Sequence, residues 1–111
     1  MPTNRYCLLL DLQDNPQLIA EYEAYHKQVW PEILDSISMA GITNMQIYRW
    51  QNRLFMIMDT DATFSFDAKR AADAENPKVQ EWEAMMWHYQ QALPGVAAGQ
   101  KWQLMEKIFQ L

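Results

Sequence analysis

Residues 42–60 read Ile-Thr-Asn-Met-Gln-Ile-Tyr-Arg-Trp-Gln-Asn-Arg-Leu-Phe-Met-Ile-Met-Asp-Thr. Two runs of alternating side chains flank Gln51-Asn52. That pattern predicts strands over Ile42–Trp50 and Arg53–Thr60, joined by a two-residue hairpin loop in which Asn52 tolerates positive φ. In the first strand Asn44, Gln46, Tyr48 and Trp50 share one face, and Met45 and Ile47 the other. In the second, Leu54, Met56 and Met58 alternate with Phe55 and Ile57. Both of its faces are apolar, which marks a central strand.

Outward from the hairpin, each flank carries helices and then a further strand. Upstream, Arg5–Leu12 reads as an inner strand, with Tyr6, Leu8, Leu10 and Leu12 on one face and Cys7 and Leu9 on the other. Asn15-Pro16 is an N-cap followed by a first-turn proline. It opens a helix expected over Pro16–Gln28, with Leu18, Tyr22, Tyr25 and Val29 on its buried stripe. Pro31 interrupts that helix and starts a second over Pro31–Met39, closed by Gly41. Downstream, a short helix is expected over Ala62–Ala74 and a longer one from Pro77 to Ala92. Val79, Trp82, Met86, Tyr89 and Leu93 give the longer one a three-four stripe. Pro94-Gly95 stops it, Val96–Lys101 is a loop, and Trp102–Phe109 a last strand.

The order is β-α-β-β-α-β. This is the ferredoxin-like arrangement of the α+β class, a four-stranded antiparallel sheet with its helices on one face. Because some strands are apolar on both sides, the open sheet face calls for a second copy packed sheet to sheet. The expectation is therefore a homodimer, a dimeric α/β barrel. The 111 residues make one domain spanning 1–111, and with half of them hydrophobic the chain can bury a core.

Composition narrows the function. The net charge is −5 and the nine basic residues are scattered, so neither nucleic acid nor an anionic membrane surface is an expected partner. Cys7 is the only cysteine, which rules out an internal disulfide and a thiolate zinc site. No apolar run approaches the length of a membrane span, and no secretory leader is evident; a cytoplasmic location is expected. Three glycines leave no Gly-rich phosphate loop. No metal and no cofactor is expected.

Candidate chemistry centres on Tyr22, His26 and Trp30, spaced four apart. Steps of four advance about 40° around a helix, so the three form one slanting stripe. His26 has the side chain suited to acid–base work near neutral pH. A lone histidine on such a helix is more often a half-buried structural residue bonded to a carbonyl. His88, beside Trp87, reads as a solvent residue. Five tryptophans are many for this length. Indoles fill cores and also pack on the apolar faces of sugars. Trp82 and Trp102 fall on core stripes, whereas Trp87 lies off its helix's stripe, one turn after Glu83.

The pattern Tyr22-x-x-x-His26-x-x-x-Trp30-Pro31-Glu32, with Gly41, Asn44 and Tyr48, resembles the L-rhamnose mutarotases over nearly the whole chain. The closing segment, Trp102 before Met105-Glu106-Lys107-Ile108-Phe109, looks like a branch of that family also associated with L-fucose. The resemblance implies a small cytosolic dimer that interconverts the α and β anomers of a 6-deoxy-L-hexose, a monosaccharide, without a cofactor. It implies that His26 is the acid/base and that Tyr22 contacts the sugar. A sugar-contacting tyrosine of the family falls at Met45 here. Of a pair of adjacent tryptophans only Trp82 remains, next to Glu83, with Trp87 one turn on as a stand-in. These departures bear on which sugar is recognised. The expected site is then His26 and Tyr22 for the chemistry, with Tyr22, Asn44, Trp82, Glu83 and Trp87 binding the substrate. The rival reading is a dimeric α/β barrel of another kind, a small-molecule binding module or a cofactor-independent oxygenase.

Overall fold

The computed structural model describes residues 3–97 and 101–111. Strand β1 spans Asn4–Leu12, helix α1 Pro16–His26 and helix α2 Pro31–Met39. The hairpin follows as β2, Ile42–Trp50, and β3, Arg53–Thr60, at the expected boundaries. Then come α3, Phe66–Glu75, α4, Pro77–Trp87, and two short strands, β4 at Gln90–Gln91 and β5 at Gln103–Leu104. All pairings are antiparallel in the order β2-β3-β1-β4, with β5 also on β1. The fold is ferredoxin-like, with β1 and β3 as the two inner strands.

The alternation sorts as the sequence predicts. Leu8, Leu10 and Leu12 of β1 and Leu54, Met56 and Met58 of β3 are buried beneath the helices. Leu10 is wholly inaccessible. Each such leucine contributes about 1.5–3 kcal/mol through removal from water. From above, Tyr22, Ile33, Val79, Trp82 and Met86 close the same core. Cys7, Leu9, Phe55 and Ile57 lie half-buried on the opposite face, beside the exposed Tyr48 and Trp50. Ion pairs Arg5–Asp59 and Arg53–Asp11 stand at the two ends of that face.

Several local expectations are corrected. Helix α1 ends at His26 instead of Gln28. The Lys27 and Gln28 amides bond three residues back, to Ala24 and Tyr25, and Trp30 is extended because it precedes Pro31. Helix α3 starts at Phe66 rather than Ala62. Asp61 Oδ1 accepts the Thr63 amide in an Asx turn, and Ser65 caps the helix by accepting the Ala68 amide at 3.3 Å. In the hairpin the positive φ falls on Gln51, at 51°, not on Asn52. Asn52 instead binds both backbone groups of Leu12, tying the loop to the end of β1.

The C-terminal third departs furthest. Helix α4 stops at Trp87 and not at Ala92, and Tyr89 reaches the core from a turn. Gln90 and Gln91 then pair with Leu12 and Asp11. The chain leaves the sheet and returns at Gln103–Leu104, opposite Leu9 and Leu8. The fourth strand is thus one edge interrupted by an excursion opposite Leu10. Of the loop expected over Val96–Lys101, residues 98–100 lie outside the described residues. The last strand, expected over Trp102–Phe109, is only two residues long. After the Met105 amide bonds Cys7 O at 2.8 Å, the chain has no strand partner, and Ile108, Phe109 and Leu111 are exposed.

Candidate functional site

Between the helix layer and the sheet lies a chamber of about 700 Å³. Its floor is Leu8, Met45, Ile47, Met56 and Met58; its roof includes Tyr22, His26, Ile33, Trp82 and Met86. Pro31 positions this roof. By ending α1 just after His26, it leaves the imidazole at the helix C-terminus, one turn beyond Tyr22.

The Tyr22 and His26 rings lie 4.4 Å apart at 37°. The Trp82 and His26 rings meet edge to face with centroids 5.8 Å apart, and Trp30 packs on Trp82 with centroids 5.1 Å apart. His26 Nδ1 stands 2.9 Å from the Tyr22 carbonyl oxygen. A carbonyl only accepts, so Nδ1 carries the proton, and Nε2 of the neutral ring is the unprotonated base. The structural and chemical readings of this histidine are therefore compatible: one nitrogen is anchored, and the other has no hydrogen-bond partner among the described residues.

Tyr22 is buried, and its phenol oxygen accepts from Gln90 Nε2 at 3.3 Å. Burial pushes its pKa up, against a smaller opposing effect of the Gln90 bond. The group is thus a phenol at neutral pH, able to donate its hydrogen. Gln90 is also buried, and its Oε1 has no partner among the described residues. Glu83 lines the chamber one residue past Trp82, with Lys101 beside it. Lys101 Nζ donates to the Glu83 carbonyl at 3.4 Å and lies 3.8 Å from the Glu83 carboxylate. At the other end of the chamber, Lys69 and Asp73 form an i,i+4 pair at 2.6 Å near Phe64 and Phe66.

The structure thus brings together His26, Tyr22, Trp82 and Glu83. Of the other two expected residues, Asn44 reaches the chamber only at its edge and Trp87 does not line it. Asn44 touches the chamber rim, but strand alternation puts it opposite Asp59 on the face of Gln46 and Tyr48. Its amide donates to Asp59 Oδ2 at 3.3 Å, and Asp59 faces away from the helices. Trp87 is not among the residues lining the chamber. Its ring is covered instead by the Lys101 ammonium at 5.3 Å. Trp30 is a packing residue behind Trp82. Sequence reasoning missed Gln90 and Lys101. Gln90 was hidden in a stretch that read as helix, and Lys101 in a loop. Met45 lines the floor and presents no hydrogen-bonding hydroxyl.

The arrangement can exchange protons with a small, hydroxyl-rich ring. It offers a base nitrogen, a phenol donor, a carboxylate and an indole wall. Among the described residues, no cluster of three His, Cys, Asp or Glu could hold a metal ion, and no helix is long and apolar enough to cross a membrane.

Comparison with known proteins points the same way. A family profile described as L-rhamnose mutarotase matches residues 5–111. An L-fucose mutarotase of Xanthomonas campestris pv. campestris is 45% identical over 113 residues, covering 100% of this chain and 90% of the relative. An L-rhamnose mutarotase of Rhizobium johnstonii is 34% identical over 77 residues, 68% of this chain and 69% of the relative. Among solved structures, an L-rhamnose mutarotase from Formosa agariphila superposes with a TM-score of 0.72 at 20% identity, covering 97% of this chain and 98% of that one. The tetracenomycin F2 cyclase of Streptomyces glaucescens shares the fold with a TM-score of 0.56 at 16% identity over 97% of this chain and 96% of that one.

Proposed function

The chain belongs to the L-rhamnose mutarotase family, and from that premise we propose that it interconverts the α and β anomers of a 6-deoxy-L-hexose in the chamber beneath α1 and α4. The observation that carries the reading is His26, anchored through Nδ1, without a partner at Nε2 among the described residues, and stacked on the buried Tyr22 phenol.

Mutarotation asks little of a protein. His26 Nε2 takes the proton of the anomeric hydroxyl as the Tyr22 O–H gives its hydrogen to the ring oxygen. The bond from the anomeric carbon to the ring oxygen breaks, leaving a neutral open-chain aldehyde, an imidazolium and a phenolate. The carbonyl turns about its bond to the next carbon. The same proton moves in reverse close the ring on the other face. Positioned acid–base groups of this kind are worth about 10²–10⁴-fold each. Trp82 covers the apolar side of the sugar, and Glu83 accepts from a hydroxyl.

L-Fucose and L-rhamnose are the two candidates. L-Fucose is the first to try, because the relative matching the full chain is an L-fucose mutarotase. Anomer exchange followed by NMR saturation transfer tests the reading. His26→Ala should lower the catalysed exchange by about 10²–10⁴-fold. A variant that exchanges both sugars as fast as the parent protein removes His26 from the chemistry.

The partner belongs to the same reading. The open face carries half-buried Cys7, Leu9, Phe55 and Ile57 with Trp50 72% exposed, and its ends are marked by paired charges. A second copy packed sheet to sheet would cover it. A cytoplasmic setting suits the one free thiol, Cys7, on that face.

A further inference from the structure

The chamber is larger than the sugar proposed for it. A 6-deoxyhexose has eleven non-hydrogen atoms and fills about 200 Å³ at the packing density of a protein interior, whereas the chamber holds about 700 Å³. Its lining runs from Gln90, paired with Leu12, to Met58, paired with Tyr6. Along β1 those two partners are about 20 Å apart at the rise of a strand, longer than one pyranose ring. The two ends are built alike. At one, Trp82 gives an aromatic wall beside the Glu83 carboxylate and the Lys101 ammonium, 3.8 Å apart. At the other, Phe64 and Phe66 pack edge to face at 4.9 Å, beside Lys69 and Asp73 with Nζ and carboxylate 2.6 Å apart.

The Lys69–Asp73 pair differs from the neighbouring pairs on α3 and α4. Arg70–Asp67 and Lys78–Glu81 are more than half exposed, whereas Lys69 and Asp73 keep 20% and 18% of their side-chain surface. Its lysine precedes its acid, the order that stabilises an isolated helix less. The pair is thus drawn partly from water against aromatic rings, at a desolvation cost that helix stability does not explain. Both groups still keep accessible surface, and both line the chamber. Lys69 Nζ bonds the two Asp73 oxygens at 2.6 and 2.8 Å. Among the described residues that leaves one ammonium donor and the outer lone pairs of the carboxylate unused. A charged donor beside a charged acceptor matches two neighbouring hydroxyls of a sugar, one accepting and one donating.

We propose that Lys69 and Asp73 form a second sugar subsite, so that the chamber takes a reducing disaccharide. Its 6-deoxy-L-hexose end lies at His26 and Tyr22, and the unit attached to that end lies against Phe64 and Phe66 with two hydroxyls on the pair. The anomeric carbon at His26 has to be free, so the second unit is joined through a ring hydroxyl of the first. That unit is neutral, because the ammonium and carboxylate cancel and select hydroxyls over a charged substituent. Aromatic rings at both ends pack on the apolar faces of the two sugars. Between them the floor is Met45, Met56 and Met58, unbranched side chains that adapt to the shape of a linkage. The pair stands away from the reacting atoms, so its bonds are the same in the ground and transition states. They lower KM and leave kcat alone.

The inference rests on the proposed sugar chemistry, and the experiment separates the two. Saturation-transfer exchange is measured over a range of concentrations for the parent, Lys69→Met and Asp73→Ala, with binding followed by isothermal titration calorimetry. The sugars are L-fucose, L-rhamnose and disaccharides that carry a neutral hexose at O2, O3 or O4 of either one. In the parent, at least one disaccharide should show a KM and Kd about tenfold or more below those of its monosaccharide, the size of one hydrogen bond to a charged group. Each variant should abolish that advantage through KM, with kcat on the disaccharide retained. The double variant Lys69→Met/Asp73→Met leaves no orphaned charge and serves if a single variant fails to fold. A parent that exchanges the monosaccharides but neither binds nor exchanges any disaccharide overturns the subsite. So do variants that keep the preference, or that change mono- and disaccharide alike, as a merely structural pair would. A protein that binds a disaccharide through the pair but exchanges no sugar keeps the subsite and overturns the mutarotase reading. One that neither binds nor exchanges any of the sugars overturns both.

Discussion

Tyr22→Phe is the substitution that separates what the phenol does for the fold from what it does for the chemistry. The ring stays, so its contacts with His26 at 4.4 Å and with Tyr89 at 6.2 Å persist, and the Tyr22 carbonyl still anchors His26 Nδ1. Only the hydroxyl goes. Gln90 Nε2 then loses its acceptor, and since Oε1 already lacks a partner the whole carboxamide is stranded at 6% exposure. Leaving such a group unpaired costs about 1–3 kcal/mol. The phenol oxygen no longer needs desolvation, which offsets part of this, and at 3.3 Å the bond is a long one. A net loss of about 1 kcal/mol follows, or roughly 5 °C in Tm for a domain of this size. The effect on turnover should be larger, about 10²-fold, because the donor to the ring oxygen is removed. Thermal melts by circular dichroism give the first quantity and saturation transfer on L-fucose the second. A variant that melts within a degree of the parent and exchanges the sugar at the parental rate refutes both roles at once. If stability alone falls, the phenol is a structural group and the acid must be sought at Glu83.

Other perturbations give separate checks. Tyr89 donates to Glu21 at 3.0 Å, and its pKa is pushed up to about 12 by burial first and by that carboxylate second. Its unfolded counterpart ionises near 10, so the folded state holds the proton more tightly. This contribution to stability is complete below about pH 10 and is lost as pH rises toward about 12. Urea melts across that range should show the decline, and Tyr89→Phe should flatten it; a parent stability independent of pH there would contradict the assignment. Gly41 has φ +94°, and a Cβ on it would stand 2.5 Å from Asp61 Oδ1 and 2.6 Å from Thr63 Oγ1. Gly41→Ala should therefore destabilise by about 1–3 kcal/mol in denaturant melts, and a neutral result would show that the Asx turn can move aside. Ile57→Lys, at the centre of the open sheet face, should convert a dimer to a monomer in size-exclusion chromatography with light scattering. A parent that elutes as a monomer at micromolar concentration counts against sheet-to-sheet pairing.

Periodicity and punctuation alone determined much of this protein. The alternation through Leu54–Met58 and Tyr6–Leu12 settles which strands are inner, because a strand apolar on both faces cannot lie at a solvated edge. Helical spacing places Tyr22 and His26 one turn apart, and Pro31 ends their helix, because these are local consequences of φ and of 3.6 residues per turn. What escaped were features set by contact between distant segments. Tyr89 fits a helical stripe equally well as helix or turn, and only the unpaired end of β1 draws Gln90 and Gln91 into the sheet. Ile42 is turned into the core opposite Thr60 by a bulge that simple alternation does not reveal. The bond that makes Gln90 part of the site joins residues 68 positions apart, a relation that no spacing records. Tertiary packing decided which atoms of the chamber are satisfied and which remain open, because a buried polar group is judged by every neighbour around it and not by its place in the chain.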